Sequence, residues 1–265
     1  MTVTTLEPPQ TVHFTKMELL EHFASLPGGA LHTEGDVRWF TLALPYDTFN
    51  GVIHAEFDPR TADDRIRWTC DQLRASGAEA LWWTGPMTTP TDLPTRLTRA
   101  GLVPVETEPG MILDLGTVQE GAPKTDLVIR PVGTLQELRA WIALRWLDTG
   151  ADVRRSLEAL YEAATRDPAR RTHYLGWRGE QPLVCGALFH GTHAAAVEDI
   201  VTGPDARGLG YGTAMTAELV RLARAAGHRH ATLTASPQGE GIYRRLGFRT
   251  VGEISAYFLA SGGRE

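Results

Sequence analysis

The segment from Gly203 to Thr213, with glycine at 203, 208, 210 and 212, follows an apolar run and precedes a long amphipathic one. Glycines where a strand gives way to a helix let backbone N–H groups approach a ligand that side chains would keep away. The helix N-terminus adds partial positive charge at the same place. The chemistry that such a loop suits is anion binding. Two better-known glycine motifs fit less well. A dinucleotide fingerprint needs G-x-G-x-x-G in the first strand–helix unit, whereas Gly208-Leu209-Gly210 comes late and is followed by Gly212. A P-loop needs G-K-[ST], which the chain lacks. The bland alternative is a flexible turn.

The surrounding pattern supplies the elements that would position this loop. Leu127–Arg130 reads as a short strand. Thr134, with Glu137 three residues on, forms a capping box that opens a helix through Trp146. A second helix runs from about Asp152 to Arg166 and stops at Asp167–Pro168. Three strands follow, Thr172–Trp177, Leu183–His190 and Ala194–Thr202, joined by short hairpin turns. After the loop, Met215, Leu219, Leu222, Ala223 and Ala226 keep helical spacing until Gly227. A strand at Ala231–Ala235, a short helix at Gly239–Leu246 and strands over Phe248–Leu259 close the chain. The N-terminal part repeats the last half of this order. It has a strand at Gly51–Phe57, a helix at Asp63–Ser76, a strand at Ala80–Thr84, a helix near Asp92–Ala100, and strands to Leu115. Pro59 aligns with Pro204, but the first copy has no glycine loop. The polar segment Gly116–Asp126 divides the two halves. The fold class expected is therefore α/β (α+β), with two mixed-sheet domains flanked by helices, one over 1–118 and one over 127–265.

Arg207-Gly208-Leu209-Gly210-Tyr211-Gly212 matches R/Q-x-x-G-x-G/A. Downstream, Tyr243-Arg244-Arg245-Leu246-Gly247-Phe248 matches Y-x-x-x-G-F. In this order and context, residues 127–259 resemble the GNAT acyltransferase superfamily. The first half resembles a degenerate GNAT half, as in tandem members. The resemblance implies acetyl-CoA as acyl donor and transfer to an amine by direct attack, without an acyl-enzyme. It implies that N–H groups from Gly208, Leu209, Gly210, Tyr211, Gly212 and Thr213 surround the pyrophosphate, with Arg207 adding charge or bracing the loop. It also implies that Ile200, Val201 and Thr202 lie on a strand splayed from its neighbour, where the pantetheine arm pairs as an added strand.

Acyl transfer to an amine needs a neutral nucleophile, a stabilised oxyanion and a protonated leaving thiolate. The resemblance places Tyr243 near the CoA sulfur as the acid, and a phenol of ordinary pKa, about 10, can return a proton to a thiolate. The competing reading is a tyrosine that only packs against Phe248. Glu198, on the strand before the loop, is the candidate base. Counting by twos puts Glu198 on one side with Ala196 and Ile200, and Asp199 on the other with Val197 and Val201; Asp199 is the second choice. His190 and His193 are further candidates, and as a pair without a third ligand they give no metal site. Family members often carry Asn near the start of the tyrosine-bearing helix. Here Ser236-Pro237-Gln238 stands instead, leaving Ser236 or Gln238, with Gly239, to contact the donor.

Net charge of −6 does not suggest a nucleic-acid partner. No apolar run is long enough to span a membrane, and the start MTVTTLEPPQ lacks a secretory pattern. Cys70 and Cys185 lie in apolar segments and read as buried thiols in a reducing compartment. Most of the tryptophans read as core; of Trp141 and Trp146, five apart on one helix, one faces the core and the other a groove. The expectation is a cytoplasmic bacterial acetyltransferase acting on a small-molecule amine, with no metal, and a homodimer is one assembly it allows. The alternatives are a non-catalytic acyl-CoA-binding regulator, or a transferase using another acyl-CoA or a non-amine acceptor.

Overall fold

The computed structural model describes residues 6–118, 125–167 and 169–261, apart from Ala43 and Pro45. Lys124, Pro168 and most of the segment read above as a divider lie outside the described residues. In chain order the elements are α1 (Pro8–Ala24), β1 (Gly29–Glu34), β2 (Val37–Leu42), β3 (Gly51–Ala55), α2 (Ala62–Ala75), β4 (Ala80–Thr84), α3 (Leu93–Arg99) and β5 (Val103–Asp114). They continue with β6 (Val128–Pro131), α4 (Leu135–Arg145), α5 (Ala151–Ala164), β7 (Arg171–Arg178), β8 (Gln181–His190), β9 (Ala195–Thr202), α6 (Tyr211–Ala225), β10 (His230–Thr234), α7 (Glu240–Arg245) and β11 (Arg249–Leu259). The fold is mixed α/β.

The chain forms two compact units, 1–110 with 251–265, and 111–250. This differs from the division at 118 and 127 drawn from the sequence. The reason lies in strand pairing. β11 pairs antiparallel with β4, from Ser255↔Thr84 to Leu259↔Ala80, so the end of the chain completes the first unit. The last residues of β5 belong to the second.

The first unit carries strands in the order β1-β2-β3-β4-β11-β5. Its core gathers Trp39, Val52, Ile66, Trp82, Leu97 and Tyr257 among others. Trp82 is fully buried and Trp83 nearly so. The helix α1 was not foreseen. Its buried face includes Thr11, His13, Thr15 and His22, and polar residues on the inner face blur the apolar period.

The second unit carries the end of β5, then β10-β9-β8-β7-β6. Its core joins Met111, Leu188, Val197, Met215, Leu219 and Phe248. The helix α6 supplies Met215, Leu219 and Ala223, four residues apart, all essentially buried. Gly227, at φ +88, ends it. The capping box of α4 forms in both directions between Thr134 and Glu137, as the spacing predicts.

Candidate active site

The strand β9 is central to the site. It pairs antiparallel with β8 along most of its length, from His190↔Ala195 to Val184↔Thr202. With β10 it pairs in parallel at only two positions, Ala231↔Ala195 and Thr232↔Ala196. Past Ala196 the two strands part, and the edge of β9 toward β10, including Ile200, Val201 and Thr202, leaves the ladder. The register with β8 also shifts: Ala187 faces Glu198 and Cys185 faces Val201, so Asp199 and Ile200 together oppose Gly186. Asp199 has φ +58, the one described residue other than glycine in that region. This is a β-bulge, which bends a strand and breaks its alternation.

The bulge corrects the face assignment made by counting in twos. Ile200 packs against the same core cluster as Val197, and its Cδ1 lies 2.8 Å from where a Cβ on Gly186 would stand. Ile200 therefore shares a face with Val197, not with Glu198. Asp199 does not point with Val197. Its carboxylate is held by Arg145 of α4 and, at 2.5 Å, by Arg171 of β7, a residue 2% exposed. Burial disfavours its charge, but the two guanidinium groups outweigh that and hold the pKa down at about 2. A carboxylate so engaged has no basicity to offer an amine, which removes Asp199 from the candidate bases. Glu198 is half-buried on β9.

After β9 the chain makes one 3-10 turn, Pro204–Ala206, and reaches the glycine loop. Gly208 and Gly210 have φ +78 and +80, and nothing lies within 4 Å of where their Cβ atoms would be. They are glycines for conformation, and the space beside them is open. Gly210 is the N-cap of α6, and no side chain caps that helix. Ala214 N–H already bonds Gly210 O at 3.0 Å. The N–H groups of Tyr211, Gly212 and Thr213 have no acceptor within the helix. The loop folds back on β9: Arg207 Nε donates to Thr202 O at 3.4 Å, and a Cβ on Gly212 would stand 3.4 Å from Thr202 Oγ1. Arg207 thus braces the loop. Leu209 is 55% exposed, while the Tyr211 side chain is buried and accepts from Arg178 Nη1 at 3.2 Å. Tyr211 can contribute only its backbone to a ligand.

On the far side of the opening, after β10, Ser236 Oγ accepts from Gly239 N–H at 3.3 Å. Gly239 backs onto the ring of Tyr243, where a Cβ would meet Cε2 at 2.8 Å. The Tyr243 ring also meets Phe248 edge-on at 6.1 Å. Both the packing contact and the position at the strand end are therefore present. Cys185 is fully buried, its Sγ bonded to Asp199 O at 3.4 Å, and burial pushes its pKa well up; it is no nucleophile. His190 Nδ1 lies 3.0 Å from His228 Nε2. Among the described residues no group of three His, Cys, Asp or Glu side chains could hold a metal ion. Trp141 is fully buried and Trp146 half-buried.

A glycine loop running into an uncapped helix, beside a strand that has left its neighbour, agrees with the motifs. Residues 136–248 match the model of the Acetyltransferase (GNAT) family. They form a GNAT acetyltransferase domain. The general reaction of that family is acyl transfer from acetyl-CoA. Solved structures with a similar fold include a GCN5-related N-acetyltransferase from Kribbella flavida, at TM-score 0.72 and 17% identity over 98% of each chain. Another is a tandem GNAT protein from the clavulanic acid biosynthesis pathway, at TM-score 0.64 and 16% identity over 97% of this chain and 96% of that one. A third, a GCN5-related N-acetyltransferase from Sphaerobacter thermophilus, has TM-score 0.64 and 12% identity over 96% and 93%. At these identities the likeness is one of fold. No curated protein matches the chain significantly.

The first unit repeats the arrangement around β9 without its opening. β3 is antiparallel to β2 and parallel to β4, again at only two positions, Gly51↔Leu81 and Val52↔Trp82. Here the chain itself fills the gap. Thr89 N–H donates to Ala55 O at 3.3 Å, and Thr89 O accepts from Phe57 N–H at 3.0 Å. The helix that follows, α2, starts with Asp63 and Asp64 in its first turn, negative charge where the GNAT domain has bare N–H groups.

Proposed function

We propose that the chain moves an acetyl group from acetyl-CoA to a primary amine of a small molecule, by direct attack in a ternary complex. One observation carries this reading: the edge of β9 that has parted from β10 leads, through one turn and the loop of Gly208 and Gly210, to the uncapped N-terminus of α6. A donor with an amide-bearing arm and a pyrophosphate suits that sequence of groups. The edge at Ile200, Val201 and Thr202 would pair with the arm. The N–H groups from Gly208 to Thr213 would take the pyrophosphate. Ser236 and Gly239 would flank the arm from the other side.

The chemistry asked of the side chains is small. The amine nitrogen bonds to the acyl carbon and the carbon–sulfur bond breaks. Glu198, directly or through a water, receives the proton that leaves nitrogen, and Tyr243 supplies one to sulfur. Glu198 lies on β9 two residues past its last pairing with the parallel neighbour β10, and Tyr243 lies on α7, the helix after β10. Ligands of open α/β sheets bind outside the carboxyl ends of the strands. We assign the first unit no donor site, because Thr89 occupies the edge of β3 and acidic residues head α2. It is a degenerate GNAT-like half that shapes or completes the protein. Two free, buried cysteines suit a reducing compartment such as the cytoplasm.

Calorimetric titration of acetyl-CoA into protein stripped of bound nucleotide tests this. One site per chain is expected, followed by amine-dependent release of free CoA thiol in an acceptor screen. Two sites would reopen the first unit. Binding without thiol release for any amine would favour a regulator, and no binding would overturn the donor assignment.

A further inference from the structure

Two side chains on α4, Trp141 and Arg145, are one helical turn apart and so share a face. They reach the two strands of the β-bulge separately. Trp141 Nε1 donates to Gly186 O of β8 at 2.9 Å. Arg145 holds the carboxylate of Asp199 on β9, and Arg171 of β7 holds its other oxygen. Gly186 is the residue that the two bulge residues Asp199 and Ile200 oppose. The left-handed backbone of Asp199 is one that residues with a Cβ rarely adopt, although Asp is among the more tolerant. If Asp199 relaxed to extended backbone, the register of Ile200, Val201 and Thr202 would slip by one, and each would turn to the other face.

We propose that α4 is a clamp on this bulge and that Asp199 is a positioning residue for the donor. By holding Asp199, Arg145 and Arg171 fix which backbone groups of β9 face the opening toward β10. The proposal rests on the donor assignment above and deepens it. It also ties the donor edge to the end of α4, since Arg145 is the last residue of that helix and lies over the Trp146 ring at 4.8 Å.

The test separates arm from nucleotide. Arg145→Gln leaves Asp199 paired with Arg171, and Arg145 is a third exposed, so the variant retains a counter-charge in the interior. Affinities of CoA and of 3′,5′-ADP, which lacks the pantetheine arm and the phosphate that joins it, are measured for wild type and variant. The clamp predicts that 3′,5′-ADP affinity stays within about twofold while the advantage of CoA over 3′,5′-ADP falls at least tenfold. Arg145→Lys, which keeps the charge, should recover part of that advantage. An unchanged ratio, or a parallel loss of both affinities, overturns the clamp while leaving the donor assignment standing. A wild type that binds neither ligand overturns the donor assignment itself. Should the variants fail to fold, backbone coupling constants and carbonyl shifts of Asp199 in the wild-type protein decide: left-handed values are required, and extended ones overturn the proposal.

Discussion

Val197 and Ile200 lie three residues apart on one strand and pack into the same core. A regular strand would send them to opposite faces. The extra residue between them, Asp199, makes the difference, and with it the edge of β9 that parts from β10 takes its form.

The glycine loop should respond to conformation more than to bulk. Gly210 sits at φ +80 with open space around it. A β-branched residue there, as in Gly210→Val, has to be forced into the left-handed region at a cost of about 1–2 kcal/mol. Acetyl-CoA affinity should fall roughly tenfold or more, with the melting temperature lowered only modestly. Calorimetry showing wild-type affinity would remove this loop as the pyrophosphate site.

Tyr243→Phe keeps the ring that packs on Gly239 and Phe248 and deletes the hydroxyl. Turnover should drop by about 10²–10⁴, while the KM for acetyl-CoA changes little. A variant as active as wild type would leave Tyr243 as packing alone.

Acid should weaken the first unit through His13. This residue is 1% exposed on α1, and its Nε2 lies 3.4 Å from His54 Nδ1. Burial, and then the nearby His54, lower its pKa from 6.5 to about 4. Its neutral form is the folded one, so the unfolded chain binds more protons below pH 6.5. Stability from this group is complete above 6.5 and declines as pH falls toward 4, by at most about 3 kcal/mol, without further change below. Urea denaturation at a series of pH values reads this directly. In His13→Gln the slope between pH 6.5 and 4 should flatten; the same slope in the variant would assign the effect elsewhere.

Both thiols should be silent. Burial raises the pKa of Cys70 to about 11 and that of Cys185 further, so neither is a thiolate at neutral pH. Alkylating reagents should label the native protein negligibly and both residues after denaturation. Cys185→Ala should retain turnover within about twofold. Rapid labelling of Cys185 in the native state, with loss of activity, would contradict direct attack by the amine.

Much of this site was legible in the residues. The capping box at Thr134, the helical period of Met215, Leu219 and Ala223, and the glycines at 208 and 210 each follow from local rules, and the structure puts them where those rules require. The element order of the second half, and of the first from Gly51 onward, followed from the same reasoning, whereas α1, β1 and β2 did not. What was not legible depended on partners remote in sequence. Asp199 was one of two adjacent carboxylates on a strand. Only the approach of Arg145 and Arg171 makes it a buried ion, and only its left-handed backbone shifts the faces of Ile200 and Thr202. The doublet Glu198-Asp199 was a signal, since two successive charges interrupt an otherwise apolar strand. Thr89 gave none, because its role is played by its backbone. The destination of β11 was hidden for the same reason: its alternating residues identify a strand but not which strand it joins.

That destination bears on how the protein is made. Residues 251–259 leave the ribosome about 170 residues after β4, yet they pair with β4 in the unit formed mainly by residues 6–110. Until β11 has been synthesised, β4 lacks this neighbour, and the earlier half must wait with an open strand edge. A gene fragment ending near residue 118 would yield a chain caught permanently in that state, prone to sticking to other extended segments. Any attempt to produce the halves separately should therefore graft β11 onto the first of them.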